Sequence, residues 1–484
     1  MTSFESRRTD LLGKNSRLHG LWQLVVVTAV LIILIALLLP RLKKTSAGNA
    51  NSPNPNEFNR HSEIAAKPNM RYRSHVRRWP ESAKTAEEIV AEKVRLFGQK
   101  HRAIAERIAH RLNQELPPEI DAFFKAVDKG DWDEISSRWK ELATHTHQYT
   151  YSKSDRPDLE PYWQTVLDAY GVAEQAHNWP AQKLLDYGNA IVDSLRPGMV
   201  YVGGTDDGRW VPELINETSG DPHIVVTQNA LADSTYLDYM RELYGDQFNP
   251  LSQEDSQRAF QEYVTDAQKR LQHDIDFPDE PKQVLPGENI QMVDGKVQYS
   301  GMVSVMQINQ LLLQMLAAKN PDLSFAVQES TPLRGTYSDA LPLGPLMELN
   351  AQSDGNPFNQ QLAQQSVDYW RSTAQGLLAD PSATGSDSTM KAYSHDVNST
   401  ANLLAAHNFT SEAEDAYSLA SQMWPENPEP VSGLAQILAQ TGHGDEAQNL
   451  LNQFAAKYPN QQKAIQQART GVTSVLWSLP PAAH

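Results

Sequence analysis

Cysteine is absent from all 484 residues. That excludes disulfides, thiolate nucleophiles and cysteine-ligated zinc or iron–sulfur centres, and it leaves the compartment open. The phosphate-binding loops GxGxxG and GxxxxGK[ST] are missing too, so a nucleotide fingerprint is not present. Neither HExxH nor the GxSxG nucleophile elbow occurs, which removes the commonest zinc-hydrolase and α/β-hydrolase signatures. Positive charge is scarce over most of the chain. Residues 41–84 hold ten basic and three acidic side chains and residues 1–40 hold four and two, so 85–484 carries -26 against a total of -17. Such a body repels phosphate backbones and argues against nucleic acid as the main partner.

A long apolar run is present. "LHGLWQLVVVTAVLIILIALLLP" covers 18–40, 23 residues without a charge, bracketed by Arg17 and Arg41. A helix of that length crosses a hydrocarbon core of about 30 Å. The run is longer than the apolar core of a cleaved signal peptide and is followed by "PRLKK", so it reads as an uncleaved anchor. Basic residues on its two sides nearly balance, which leaves orientation undecided by charge. After the span, 41–84 is a basic linker, rich in Asn, Ser and Pro at "TSAGNANSPNPNEFNR" and in Arg at "RYRSHVRRWP". It reads as flexible chain, with contact to anionic headgroups as the sharper alternative.

From residue 85 the pattern turns helical. Thr85 and Glu88 have capping-box spacing, and Val90, Val94, Phe97, Ile104, Ile108 and Leu112 recur on one face. Further helices are expected near 118–128, 131–143, 160–176 and 178–195, giving a helical domain over 85–197. Two strand–loop–helix units follow, "MVYVGG" with "RWVPELI" and "HIVVTQ" with "ADSTYLDYMRELYG". These predict a small α/β domain over 198–351 with a partly parallel sheet. A hairpin is expected around Asp294-Gly295, and further strands at "SFAVQES" and "GPLMELN".

Polar residues gather where the first two strands end. Asp206, Asp207 and Arg209 follow the first; Gln228, Asn229 and Asp233 follow the second. Ligands in open α/β sheets favour that edge, so adjacent strands would let these six line one crevice, with Glu329 joining from a third parallel strand. The aspartates would repel a phosphate unless a divalent cation bridged them. Without a ligand, the same residues cap a helix while the glycines permit the turn. No other cofactor and no catalytic residue is indicated. His145 and His147, two apart, lack an evident third ligand.

The C-terminal part repeats. Ala413, Tyr417, Ala420 and Pro425 recur as Ala447, Leu451, Phe454 and Pro459, each 34 residues on; Ala401 and Leu404 recur as Ala435 and Leu438. The spacing resembles the tetratricopeptide repeat, with paired antiparallel helices and a proline after the second. Helices at 360–379 and 461–470 are expected to flank the pairs, so 360–480 reads as a helical repeat array whose surface either binds a protein or peptide or, in so short an array, only packs against the neighbouring domain.

At "GMVYVGGTDDGRWVPELINETS" and "HIVVTQNALADSTYLDYMRELYGDQ" the chain resembles bacterial membrane-anchored proteins that end in such repeats. More loosely, with "SFAVQESTPL" and "GPLMEL", it is similar to the soluble C-terminal part of O-mannosyltransferase-like membrane proteins. The resemblance implies an accessory domain outside the cytoplasm, on a single-pass inner-membrane anchor, rather than a transferase. Two functions follow as expectations: a scaffold that binds proteins through its repeats, or a module that binds a glycan or other polar ligand with a divalent cation.

Overall fold

The computed structural model of the chain describes residues 84–146, 155–204, 206–220, 222–285, 288–293, 296–329, 334–349 and 358–469. The expected span at 18–40, the linker up to residue 83, and His147 lie outside the described residues. Among the described residues no helix is long and apolar enough to cross a membrane.

The first layer is helical: α1 (Ala86–Arg111), α2 (Pro118–Lys129), α3 (Trp132–Thr146), α4 (Trp163–Asn178) and α5 (Ala181–Val192). The capping box at the start of α1 is formed in both directions. Thr85 Oγ1 accepts from the Glu88 N–H at 3.2 Å and Glu88 Oε2 accepts from the Thr85 N–H at 2.8 Å. Val90, Val94, Phe97, Ile104 and Ile108 are buried, as their spacing requires. Leu112 is not: it follows the last helical residue of α1, where the helical face ends, and stays 39% exposed.

The sheet is mixed. Its strands are β1 (Val200–Gly203), β2 (Ile224–Thr227), β5 (Phe325–Val327), β6 (Leu341–Leu343) and β7 (Leu346–Glu348), in the order β2-β1-β5-β7-β6. β1 lies parallel to both β2 and β5, and β7 runs antiparallel to β5 and β6. Helices α6 (Asp207–Glu217) and α7 (Ser234–Tyr244) follow β1 and β2. The three parallel strands are short and almost wholly buried, as expected when both faces of a sheet are covered. An arm leaves the sheet between β2 and β5. It consists of α8 (Gln253–Asp276), the antiparallel hairpin of β3 (Asn289–Val293) and β4 (Lys296–Ser300), and α9 (Met302–Lys319). The strands pair from Asn289 with Ser300 to Val293 with Lys296; the turn expected around Asp294-Gly295 lies outside the described residues.

The repeats begin after α10 (Gln360–Leu378) and the single turn α11 (Pro381–Thr384). Helices α12 (Asp387–Ala406) and α13 (Thr410–Met423) form one pair, and α14 (Pro428–Gln440) and α15 (Gly444–Lys457) the next; a last helix covers 462–469. Ala413, Tyr417, Ala420, Ala447, Leu451 and Phe454 are buried at the packing positions. Pro425 and Pro459 are exposed. They stop helices rather than fill the core, because proline has no N–H to continue the ladder. One hydrophobic core runs without a break from Val90 on α1 to Ile437 on α14. The second repeat adds a small core of its own around Ala435, Ala447, Leu451 and Ile465.

Gly433 shows how tightly the two repeats meet. A Cβ there would stand 2.3 Å from the Tyr417 ring, whose hydroxyl donates to Asn402 Oδ1 at 2.8 Å. Gly433→Ala is expected to cost about 1–3 kcal/mol by overpacking. Gly376→Ala, on α10 with open space around its Cβ, should gain about 0.4–1 kcal/mol. Urea midpoints measured side by side check both signs; equal midpoints would refute the packing argument.

Candidate functional site at the joint of sheet and repeats

The carboxyl ends of β1 and β5 meet the first repeat helix, α12. Gln328, one residue beyond β5, is the hub. Its N–H extends the parallel ladder to Val202 O at 2.9 Å. Its Oε1 accepts from the Gly204 N–H at 3.3 Å, and its Nε2 donates to Tyr187 Oη at 2.5 Å and to Asp396 Oδ1 at 2.7 Å. A Cβ on Gly208 would fall 1.5 Å from Gln328 Oε1. So the glycine at the start of α6 is what lets this amide pass, and the Tyr201 hydroxyl closes the cage by donating to Gly208 O. Asp396 is 1% exposed, and its second oxygen, Oδ2, has no hydrogen-bond partner among the described residues.

Asp207 opens the cage to water. It is the first residue of α6, half-buried, and its Oδ1 accepts from the Trp179 indole N–H at 3.0 Å. Burial pushes its carboxyl up to about 7, against the pull of the Trp179 bond and with the charges of Asp206 and Asp396 adding to the rise. Burial likewise lifts Asp396 to about 7, although His395, Gln328 and Tyr187 favour its ionised form. Burial thus favours the neutral, protonated form of two carboxyls from separate parts of the fold.

His395 continues the joint along α12. Its Nε2 lies 2.7 Å from Glu329 O and its Nδ1 3.4 Å from Glu429 Oε2 on α14. Burial works against its charge, but Glu429 and the neighbouring acceptors outweigh it and raise the imidazole to about 9. The same ion pair holds Glu429 below its ordinary value in spite of burial. Their side chains keep 31% and 49% exposure. The pair therefore bridges α12 and α14 at the protein surface. His407 Nε2, 2.6 Å from Tyr337 O, ties the far end of α12 to the 3-10 turn Arg334–Asp339.

The polar residues expected at this edge are distributed, not convergent. β1 and β2 are adjacent and parallel as anticipated, but the side chains part. Asp206 is exposed and does not cap α6 through its side chain; its backbone sits at φ 45, ψ -101, a conformation that favours glycine. Asp207 faces the joint. Arg209 turns to the opposite side of α6, where it pairs with buried Asp168 and lies 3.8 Å from Glu213. Asp233 caps α7, its Oδ1 accepting from the Thr235 N–H at 2.8 Å. Gln228 is buried in a 3-10 turn, and Asn229 Oδ1 accepts from Asn309 Nδ2 at 3.4 Å. Glu329 is buried, both carboxylate oxygens accepting from the Tyr337 hydroxyl at 2.7 and 2.8 Å. His145 Nδ1 lies 3.4 Å from Asp155. Among the described residues no group of three His, Asp or Glu side chains is placed to hold a metal ion.

Gln328, Asp396, Tyr187 and Trp179 were not singled out by the sequence. The only available signal was that Gln328 adjoins Glu329 on a strand already expected. Their meeting depends on separations of 28 to 141 residues.

A family profile described as tetratricopeptide repeat matches residues 403–470. The chain therefore contains tetratricopeptide repeats, which suggest a protein–protein interaction scaffold. No curated protein and no solved structure matches the chain.

Proposed function

We propose that this is a single-pass, membrane-anchored scaffold whose bulk lies outside the cytoplasm and whose repeats dock a partner protein. The repeat match over 403–470 carries the reading. The first repeat helix is already engaged by the chain's own sheet, through Gln328, Glu329 and Tyr337. The partner surface is accordingly the second repeat, which has its own small core. Anchoring rests on the apolar run 18–40 and the side of the membrane on the stated resemblance.

Partner capture from membrane extracts by the full chain, compared with a chain lacking 428–470, tests the docking. The truncated chain should lose partners, and because it also gives up Ile437 of the main core, its cooperative melting is measured alongside to show that the remainder stays folded. Retention of every partner would refute it. A reporter at the C-terminus should report the extracytoplasmic side.

A polar-ligand reading is kept alive by one observation, the exposed and strained Asp206 beside half-buried Asp207. It requires glycan binding by the α/β layer with Mg²⁺, Mn²⁺ or Ca²⁺. Calorimetry showing no such binding, or binding unchanged in Asp206→Asn/Asp207→Asn, would end it.

A further inference from the structure

The arm of α8, the β3–β4 hairpin and α9 carries a two-stranded ribbon that pairs with no other strand among the described residues. Val293 faces Lys296 across only two residues, so that pair exchanges both of its backbone bonds. Such pairs alternate along a ribbon. Asn289 and Gln291 therefore turn their N–H and C=O groups to β4, and Ile290 and Met292 turn theirs away from it. Among the described residues no backbone group outside the hairpin bonds to those outward groups.

Exposed strand edges are ordinarily guarded by a charge, a proline or a bulge. β3, "NIQMV", has no charge and no proline, and its register with β4 runs without a bulge. The inner face of the ribbon sets Ile290 opposite Tyr299 and Met292 opposite Val297, and it rests on α8, where the Tyr263 and Tyr299 rings lie 5.0 Å apart. Met292 nonetheless stays 41% exposed. Of the seven large apolar side chains exposed among the described residues, four belong to this arm: Ile275, Phe277, Leu285 and Met292. An unguarded edge beside uncovered apolar surface marks a contact.

We propose that the outer edge of β3 pairs, antiparallel, with β3 of a second copy of this chain. The strand is self-complementary for this. Its outward groups sit on Ile290 and Met292, one on each side of Gln291. A two-fold axis beside Gln291 sets Ile290 of each copy against Met292 of the other, and both pairs exchange N–H···O=C bonds. Met292 gains an apolar neighbour on the inner face, and the two copies of Gln291 lie side by side on the outer one. Charge selects this occupant. The chain carries -26 from residue 85 on, so two copies repel over most of their surface, but β3 brings no charge from either. A foreign basic strand finds no acid on β3 to pair with. Five residues of strand bury less than a standard interface of about 1,600 Å², so the dimer is a weak one.

The absence of cysteine makes a thiol test specific. Gln291→Cys and Gln298→Cys each place one thiol on the exposed outer face, on β3 and on β4. Across the two-fold the β3 thiols stand opposite each other, with about 4.5–5.5 Å between Cβ atoms, near disulfide reach. The β4 thiols are three strand spacings apart, about 14 Å. The full chain, purified in mild detergent, is oxidised with copper phenanthroline and run on a non-reducing gel; its mass is followed by sedimentation over a concentration series. The expected result is a concentration-dependent dimer that Gln291→Cys traps at least about tenfold more than Gln298→Cys. Met292→Lys, which puts a charge on the edge, should weaken the dimer by about tenfold or more with the urea midpoint unchanged, and Met292→Leu should keep it. A monomer at every concentration, equal trapping by the two thiols, or a dimer indifferent to Met292→Lys overturns the proposal.

Discussion

Replacing Arg209 by methionine is expected to cost about 3–5 kcal/mol of folding stability. The guanidinium is 7% exposed and pairs with Asp168, itself 0% exposed. It lies 3.8 Å from Glu213 and 6.0 Å from the Tyr236 ring. Removing it strands the Asp168 carboxylate between α4 and α6 with no cation, and an uncompensated buried charge costs more than the intact pair contributes. Burial and the Asp168 charge already push the Glu213 carboxyl well above the ordinary carboxylate range, and an acid beside Asp168 offers no positive charge to replace the guanidinium. The double change Arg209→Met/Asp168→Leu should recover most of the loss, since an apolar pair of similar size avoids the desolvation penalty. Urea midpoints with an unchanged slope would measure both. A loss below about 1 kcal/mol in the single variant would mean that Arg209 is not a structural charge, and would return it to the ligand-facing role its sequence position suggested.

Asp396→Asn should act in the opposite direction and change with pH. The folded carboxyl titrates near 7 against an ordinary value of 3.8. Below that ordinary value both folded and unfolded chains hold the proton, and the group contributes nothing to the pH slope. Between the two values the unfolded chain releases its proton while the folded chain keeps it, so stability falls as pH rises and levels off above 7. At 1.36 kcal/mol per unit, the gap sets a ceiling of roughly 4 kcal/mol, and relaxation around the joint brings the expected effect to about 2–4 kcal/mol. Asparagine cannot ionise, and it keeps the Oδ1 that accepts from Gln328. Its melting temperature should match the parent at pH 4 and exceed it by the largest margin at pH 8. Parallel curves would show that Asp396 is not the titrating group. Asp207 shifts the same way, chiefly through burial, with the Asp396 charge adding to the rise.

Much of the architecture was legible from local pattern. The capping box at Thr85 and the apolar spacing after it set α1, because both act within a few turns of helix. Strand–loop–helix order predicted the parallel pairing of β1 with β2, and the 34-residue recurrence of Ala413 and Tyr417 predicted the repeat packing. Asp233 behaves as its position before a helix implies. Asp206 does not, because the turn after Gly204 swings its backbone to a positive φ and its side chain away from the α6 N–H groups.

Only the tertiary structure decided the site. Arg209 and Asp207 are two residues apart in one helix turn, so composition puts them together and helical geometry separates them, one toward Asp168 and the other toward Trp179. Gln328 joins Tyr187 and Asp396 across separations of 141 and 68 residues, beyond any periodic signal. The repeats, readable as an interaction surface, turned out to lend their first helix to the sheet: α12 carries polar side chains that satisfy strand-end groups as well as apolar ones that fill the core. The sequence by itself determined which segments form helices, strands and repeats, since backbone hydrogen bonding and amphipathic spacing are local. Which carboxyls share a joint, and which of them lack a cation, was settled by packing, because burial and charge compensation depend on what the rest of the chain brings within a few ångströms.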